Sequence, residues 1–323
     1  MSQDIIIKAS DLTKSYGQIV AVDHINFTVK KEEIFGFLGP NGAGKTTTIR
    51  MLTGLSRPTA GSAHVLGFDI ASEITGAKKY IGVVPELSNL YDELSAIDNL
   101  LFMAQLYGVP RNQRKESAEQ LLKMFRLYER KDQPFGTFSR GMRRALTIAA
   151  ALVHNPKLLF LDEPTVGLDV VAARSLRLLI NGLRQHGTTV FLTTHYLEEA
   201  DLLCDRIAIL VKGKIVKIDS PEALKAFVKE SRPIEVSFSE AVPKAPEELS
   251  KRLPDLHIVP MNHKVRIYGG TPSQVLEVVL QFAKHTGVGI DSVTSVRPSL
   301  EDAFVKITGL APTMMAVEKG GRR

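Results

Sequence analysis

The chain has 323 residues, of which 44% are apolar and 24% charged, with 41 basic against 35 acidic side chains and a formal net charge of +6. This is the makeup of an ordinary folded protein with length enough for two domains. A single cysteine, Cys204, excludes an internal disulfide and suits a reducing compartment. The opening residues lack a secretory core, and the longest apolar stretch, 145–153, falls well short of the ~18 residues of a membrane span. The mild basic excess permits contact with nucleic acid or an anionic membrane and demands neither.

In chain order, residues 24–30 alternate Ile25, Phe27 and Val29 on one face, which predicts a half-buried strand. "EIFGFLGP" predicts a short apolar strand ending in a glycine-rich turn, and "KTTTIRMLTGL" a helix stopped near Gly54. Further strands are predicted at 80–84, 158–161, 189–193 and 206–211, with helical patterns between most of them. The expected core is therefore a mostly parallel sheet with helices on both faces. Residues 87–128 read as helical throughout, so a helical subdomain inserted at about 87–153 is expected.

Composition shifts after residue 230, where Pro233, Pro243, Pro246 and Pro254 crowd together. Strand 234–238, helix 246–253, strands 256–259 and 265–268, helix 272–285 and strand 290–296 follow, the βαββαβ order of a ferredoxin-like unit. A last helix in "SLEDAFVKITG" closes it. The expected domains are 1–230 and 231–310, with 311–323 a disordered tail.

"GPNGAGKT" supplies Gly39, Pro40, Asn41, Gly42, Ala43, Gly44, Lys45 and Thr46, with Thr47 following, and fits G-x-x-x-x-G-K-[ST] between a predicted strand and helix. Backbone N–H groups of such a loop wrap phosphates, Lys45 meets the β- and γ-phosphates, and the Thr46 hydroxyl is offered to Mg²⁺. "KLLFLDEP" ends a buried strand in Asp162 and Glu163. Alone, such a pair more often starts a helix or sits in a solvated loop; after a phosphate loop it suggests a metal ligand and a base. Ser139, in "TFSRGMRRAL", is by itself a helix cap.

Taken together, "GPNGAGKTT", "FSRGM", "LLFLDEP", "VGLD" and "TTHYLEEA" resemble, in order and spacing, the ATP-binding cassette (ABC) ATPases over roughly residues 5–230. The resemblance implies an α/β P-loop NTPase fold of the ABC nucleotide-binding type with an inserted helical subdomain, followed here by the small α+β ferredoxin-like domain. It implies ATP and Mg²⁺ as ligands, with Thr46, Glu86 and Asp162 on the metal and Glu163, His195 and Lys45 in catalysis. Ser139 and Gly141 would contact the γ-phosphate held by a second copy, Asp169 would communicate between sites, and Tyr16 would stack on adenine, with a surface aromatic as the alternative. Three positions depart from the pattern: Glu86 replaces a glutamine, Arg140 a glycine, and Val166 a small or hydroxyl residue.

"SLEDAFVKITG" is similar to the ending of ATPases that pair with separate ABC-2 type permeases, including exporters of drugs, antibiotics or lipids. The resemblance thus implies an ATP-hydrolysing homodimer on the cytoplasmic face of the membrane, a permease partner, and no nucleic acid. Two alternatives stay open: an ABC-type ATPase acting on nucleic acid or ribosomes, and a weakly hydrolysing nucleotide sensor.

Overall fold

In the computed structural model, residues 4–185, 187–228, 233–261, 264–296, 298–310 and 315 are described. The chain divides into two compact units, one running to Ser220 and the other starting at Pro221. The first unit begins with β1 (Ile5–Tyr16), β2 (Ile19–Lys30), β3 (Ile34–Leu38), α1 (Lys45–Leu52), β4 (Ala60–Val65), β5 (Phe68–Asp69), α2 (Ile74–Lys78) and β6 (Ile81–Val84). Helices α3 (Ala96–Leu106), α4 (Arg111–Met124) and α5 (Arg140–Leu152) follow. They lead to β7 (Leu158–Asp162), α6 (Val170–Gln185), β8 (Thr189–Thr194), α7 (Leu197–Leu203), β9 (Arg206–Val211) and β10 (Lys214–Asp219).

The runs IFGFL, LLFLD and TVFLTT are buried at every position. Unbroken burial of this kind belongs to parallel strands covered on both faces, and these three lie at the centre of a six-stranded sheet ordered β10-β9-β3-β8-β7-β6. All its pairings are parallel except that of β10 with β9.

The expectation of helices on both faces is incomplete. One side is covered by α1 together with a second sheet, four-stranded and antiparallel, ordered β2-β1-β4-β5. Phe27 of β2 stacks on Phe35 with ring centroids 5.9 Å apart and meets Phe37 edge-on at 5.0 Å, so an aromatic layer welds the two sheets. Helix α5 packs on β6, α6 on β8, and α7 on β3 and β8.

In the helical subdomain, Ser95 caps α3 by accepting from Asp98 N. Buried Asn99 bonds Tyr91 through both its N–H and its carbonyl and also reaches the carbonyls of Leu94 and Ser95. That one amide holds the loop that leads from Glu86 into α3.

The second unit contains α8 (Pro221–Ala226), β11 (Ile234–Phe238), α9 (Ala245–Arg252), β12 (His257–Met261), β13 (Lys264–Tyr268), α10 (Pro272–Thr286), β14 (Ile290–Ser295) and α11 (Leu300–Thr308). Its antiparallel sheet is ordered β12-β13-β11-β14, the ferredoxin-like arrangement. Val236, Phe238 and Ile267 face Leu249 of α9 and Val279 and Phe282 of α10. On the alternate positions Arg266 donates to Glu235 at 2.7 Å and to Asp302 of α11 at 3.0 Å, and Tyr268 Oη donates to the same Asp302 oxygen at 2.5 Å. The expected disordered tail, 311–323, lies outside the described residues apart from Met315.

Asp302 is fully buried, so removing it takes the acceptor from Tyr268 and leaves Arg266 with Glu235 alone. Asp302→Ala is expected to destabilise the second unit by about 1–3 kcal/mol, read as a lower urea midpoint for its transition in the full chain.

Candidate active site

The loop after β3 turns into α1 through Gly44, whose φ of 106° only glycine adopts without strain. A Cβ there would run into the carbonyl oxygen of Ala21 on β2. The Lys45 side chain folds back over the loop and donates to the Gly39 carbonyl at 2.6 Å and the Pro40 carbonyl at 3.2 Å. Its Nζ also lies 3.1 Å from Glu163 Oε1, an ion pair in which both side chains are buried.

Strands β3, β8 and β7 are adjacent and parallel, so their carboxyl ends deliver this loop, His195 and the Asp162–Glu163 pair to one edge. Asp162 Oδ1 accepts from the Thr193 hydroxyl at 2.5 Å and from the Thr46 hydroxyl at 3.2 Å. Glu163 follows in the left-handed region, φ 47°, with its N–H bonded to the Thr193 carbonyl at 3.1 Å. The turn carries its carboxylate toward β8, where Oε2 lies 2.9 Å from His195 Nδ1 and 3.3 Å from the His195 N–H.

Burial pushes the Glu163 carboxyl up, but the hydrogen bond from His195 and the Lys45 charge outweigh it and leave it below the usual glutamate range. An ionised carboxylate only accepts, so His195 Nδ1 carries the proton and Nε2 remains available to a ligand.

A cleft of about 850 Å³ opens over these groups. Its walls include Asn41, Gly42, Gly44, Lys45, Thr46, Thr47, Glu86, Glu163 and His195 of the sequence-predicted set. Val166, the third departure, lines it too, as do Ala21, Arg50 and Tyr196, which the motifs did not single out. Gly39, Pro40 and Ala43 form the base of the loop, and Asp162 sits behind Thr46.

Four further expected residues do not line the cleft. Tyr16, at the end of β1, is half-exposed, with Lys14 Nζ 5.0 Å above its ring. Ser139 caps α5 by accepting from Met142 N at 3.3 Å, and Gly141 sits so close to α6 that a Cβ would approach that of Ala172 to 2.8 Å. Asp169 caps α6 by accepting from Ala172 N at 2.8 Å. The two capped turns are thus neighbours through the Gly141–Ala172 contact.

The donor set fits Mg²⁺. Thr46, Asp162 and Glu86 offer hard oxygen atoms, and among the described residues no group of three or more His, Cys, Asp or Glu forms a ready-made cage. Mg²⁺ usually keeps part of its shell for phosphate and water.

A glycine-rich loop opening a helix, with carboxylate and histidine from the adjacent strand ends, defines a P-loop nucleotide site. The protein-family model described as ABC transporter matches residues 22–166. The chain is 36% identical over 307 residues to the linearmycin resistance ATP-binding protein LnrL of Bacillus subtilis, spanning 94% of this chain and 98% of that protein. It is 37% identical over 310 residues to the Nod factor export ATP-binding protein I of Sinorhizobium fredii, spanning 95% and 87%. A solved dimeric ATP-binding cassette in a post-hydrolysis state, bound to ADP and Pi, is similar with a TM-score of 0.61 and 26% identity, covering 66% of this chain and 98% of that one. The chain belongs to the ABC transporter family, as an ATP-binding, ATP-hydrolysing subunit. No helix among its described residues is long and apolar enough to cross a membrane.

Gly44→Ala forces the loop away from Ala21 and strains its backbone by about 1–3 kcal/mol, so ATP affinity is expected to fall about 10- to 100-fold. Titration with a fluorescent ATP analogue measures it.

Proposed function

We propose that two copies of this chain drive a separate ABC-2 type permease from the cytoplasmic face of the membrane, exporting a drug, antibiotic or lipid-like compound. What supports the export reading is the near full-length likeness to relatives named for linearmycin resistance and Nod factor export. The observation that carries the hydrolytic reading is the Lys45–Glu163–His195 chain at the lip of the phosphate loop, with Thr46 and Asp162 beside it.

In this reading the loop N–H groups and Lys45 hold the β- and γ-phosphates. Entering phosphate oxygens compete with Glu163 for Lys45 Nζ, freeing the carboxylate to accept a proton from the attacking water. His195 stays on Glu163 through Nδ1 and turns Nε2 to the γ-phosphate. Thr46, Asp162 and Glu86 hold Mg²⁺, which when bound neutralises charge on the phosphate oxygens. Tyr16 stacks on the adenine ring.

Each nucleotide is closed by the other copy. Ser139 and Gly141 present the positive end of α5 to its γ-phosphate, and Asp169 links the two sites. The permease docks on the helical subdomain, where Leu87, Tyr91, Phe102 and Leu106 are exposed and Tyr91 meets Phe102 edge-on at 5.3 Å.

Glu163→Gln is expected to lower kcat by about 10²- to 10⁴-fold and, in Mg²⁺-ATP, to sediment as a dimer. A fully active variant, or a monomer at saturating nucleotide even with the permease present, overturns the reading. Glu86→Gln removes a charged metal ligand, so the Mg²⁺ concentration giving half-maximal rate is expected to rise; an unchanged metal titration counts against Glu86 as a ligand.

A further inference from the structure

Helix α5 buries an arginine. Arg144 is 8% exposed, and its guanidinium donates from Nε to the Pro164 carbonyl at 2.9 Å and from Nη2 to the Asp162 carbonyl at 2.6 Å. Nη1 donates to the Glu86 carbonyl at 3.2 Å and to the Pro85 carbonyl. All four acceptors are backbone oxygens, and among the described residues Arg144 forms no ion pair. Burial pushes the guanidinium down to about 10, with Asp162, Glu199, Glu86 and Glu163 pulling it back up. It therefore stays charged at neutral pH.

Burying a cation without a bonded carboxylate is costly, and an apolar side chain fills such a space with less penalty. What the apolar side chain lacks is a planar fork that fixes several acceptors in one plane. The acceptors here are specific. Asp162 and Pro164 stand immediately before and after Glu163, so Nη2 holds the peptide that leads into the left-handed residue carrying the base and Nε holds the peptide that follows Pro164. Nη1 pins the loop of Glu86. The same side chain is rooted one and a half turns into the helix capped by Ser139.

We propose that Arg144 is a positioning residue: it brackets the Glu163 turn and the Glu86 loop from α5, so that the acids of the site keep their place relative to the Ser139 turn of the same subunit. This rests on the hydrolytic role proposed for Glu163. Arg144 is not part of the cleft wall, so its removal acts on the chemical step and spares nucleotide binding.

The test is steady-state ATPase kinetics of the full-length chain carrying Arg144→Gln or Arg144→Lys, with thermal midpoints measured in parallel. Loss of the bracket is expected to lower kcat about tenfold or more while KM for Mg²⁺-ATP stays within about twofold. Lysine, a point charge without the fork, recovers only part of the rate. In the Glu163→Gln background the Arg144→Gln change is expected to cost less than about twofold, because no base is left to misplace. The proposal is overturned if kcat survives in a folded variant, if only KM moves, or if lysine restores full activity. It also falls if the loss is equal in both backgrounds, or if both single variants fail to fold, since the role is then structural. A Glu163→Gln protein that retains full activity defeats the hydrolytic reading instead, whatever Arg144 does.

Discussion

The contact between Lys45 and Glu163 constrains the rest of the first unit. Both side chains are almost fully buried, and either charge alone in that position is costly. They meet only because β3 and β7 flank β8 in one parallel sheet, with Leu38 opposite Thr194 and Asp162 opposite Thr193. A slip of either register by one residue turns Asp162 or Thr193 to the other face. The aromatic layer of Phe27, Phe35, Phe37 and Phe191 holds that register from below.

Within this frame the side chains of the site hold one another in place. Thr193 is the hinge of the arrangement: its hydroxyl bonds Asp162, its carbonyl takes the Glu163 N–H, and its strand continues into His195. Glu163 accepts a left-handed backbone that favours glycine, and the bonds on either side of it offset that strain. Dipoles fixed in a partly dry cleft require no reorganisation at the moment of reaction, which is where such sites gain most of their electrostatic advantage. The depressed Glu163 carboxyl follows from the same packing. Its charge is favoured as long as Lys45 and His195 both face it, so in the mechanism proposed above, drawing Lys45 to phosphate would make it a stronger base.

Much of the site was legible because its parts are contiguous. A phosphate loop and an acidic pair at a strand exit announce their chemistry over a few residues, and the buried strands that carry them have unbroken apolar runs. Of the antiparallel sheet only residues 24–30 of β2 were read as a strand, and the rest was missed for a local reason. In β1 the buried positions run Ile7, Ala9 and then Leu12, and in β2 they run Val22 and then Ile25, Phe27 and Val29. Asp11 and His24, both with φ of 48°, sit where the phase flips, and a bulge of this kind breaks the alternation by which a strand is recognised. Arg144 escaped notice among three arginines, although its spacing to Ala145, Ile148 and Leu152 places it on the apolar stripe of α5. Its four acceptors come from loops far off in sequence. The Gly141–Ala172 approach is equally nonlocal.

The second unit meets the converse problem. Its βαββαβ order leaves one sheet face open, and α11 covers it with Val305 against Val259 and Tyr268. So small an apolar contact does little to fix the helix in one place. The capping box at Ser299 already satisfies one Asp302 oxygen locally, and the other is given to Arg266 and Tyr268 of β13. One carboxylate thereby both starts the helix and selects where it lands. Arg266 spans from Asp302 to Glu235, so the charge on the sheet is neutralised in the act of docking. Directional bonds to a buried acid cost desolvation that a larger apolar face avoids, but they define a single docked position. Buried Lys45 and Arg144 and part-buried Arg266 share this economy: each is a cation placed where the backbone or a carboxylate has to be held at one distance from a neighbouring element.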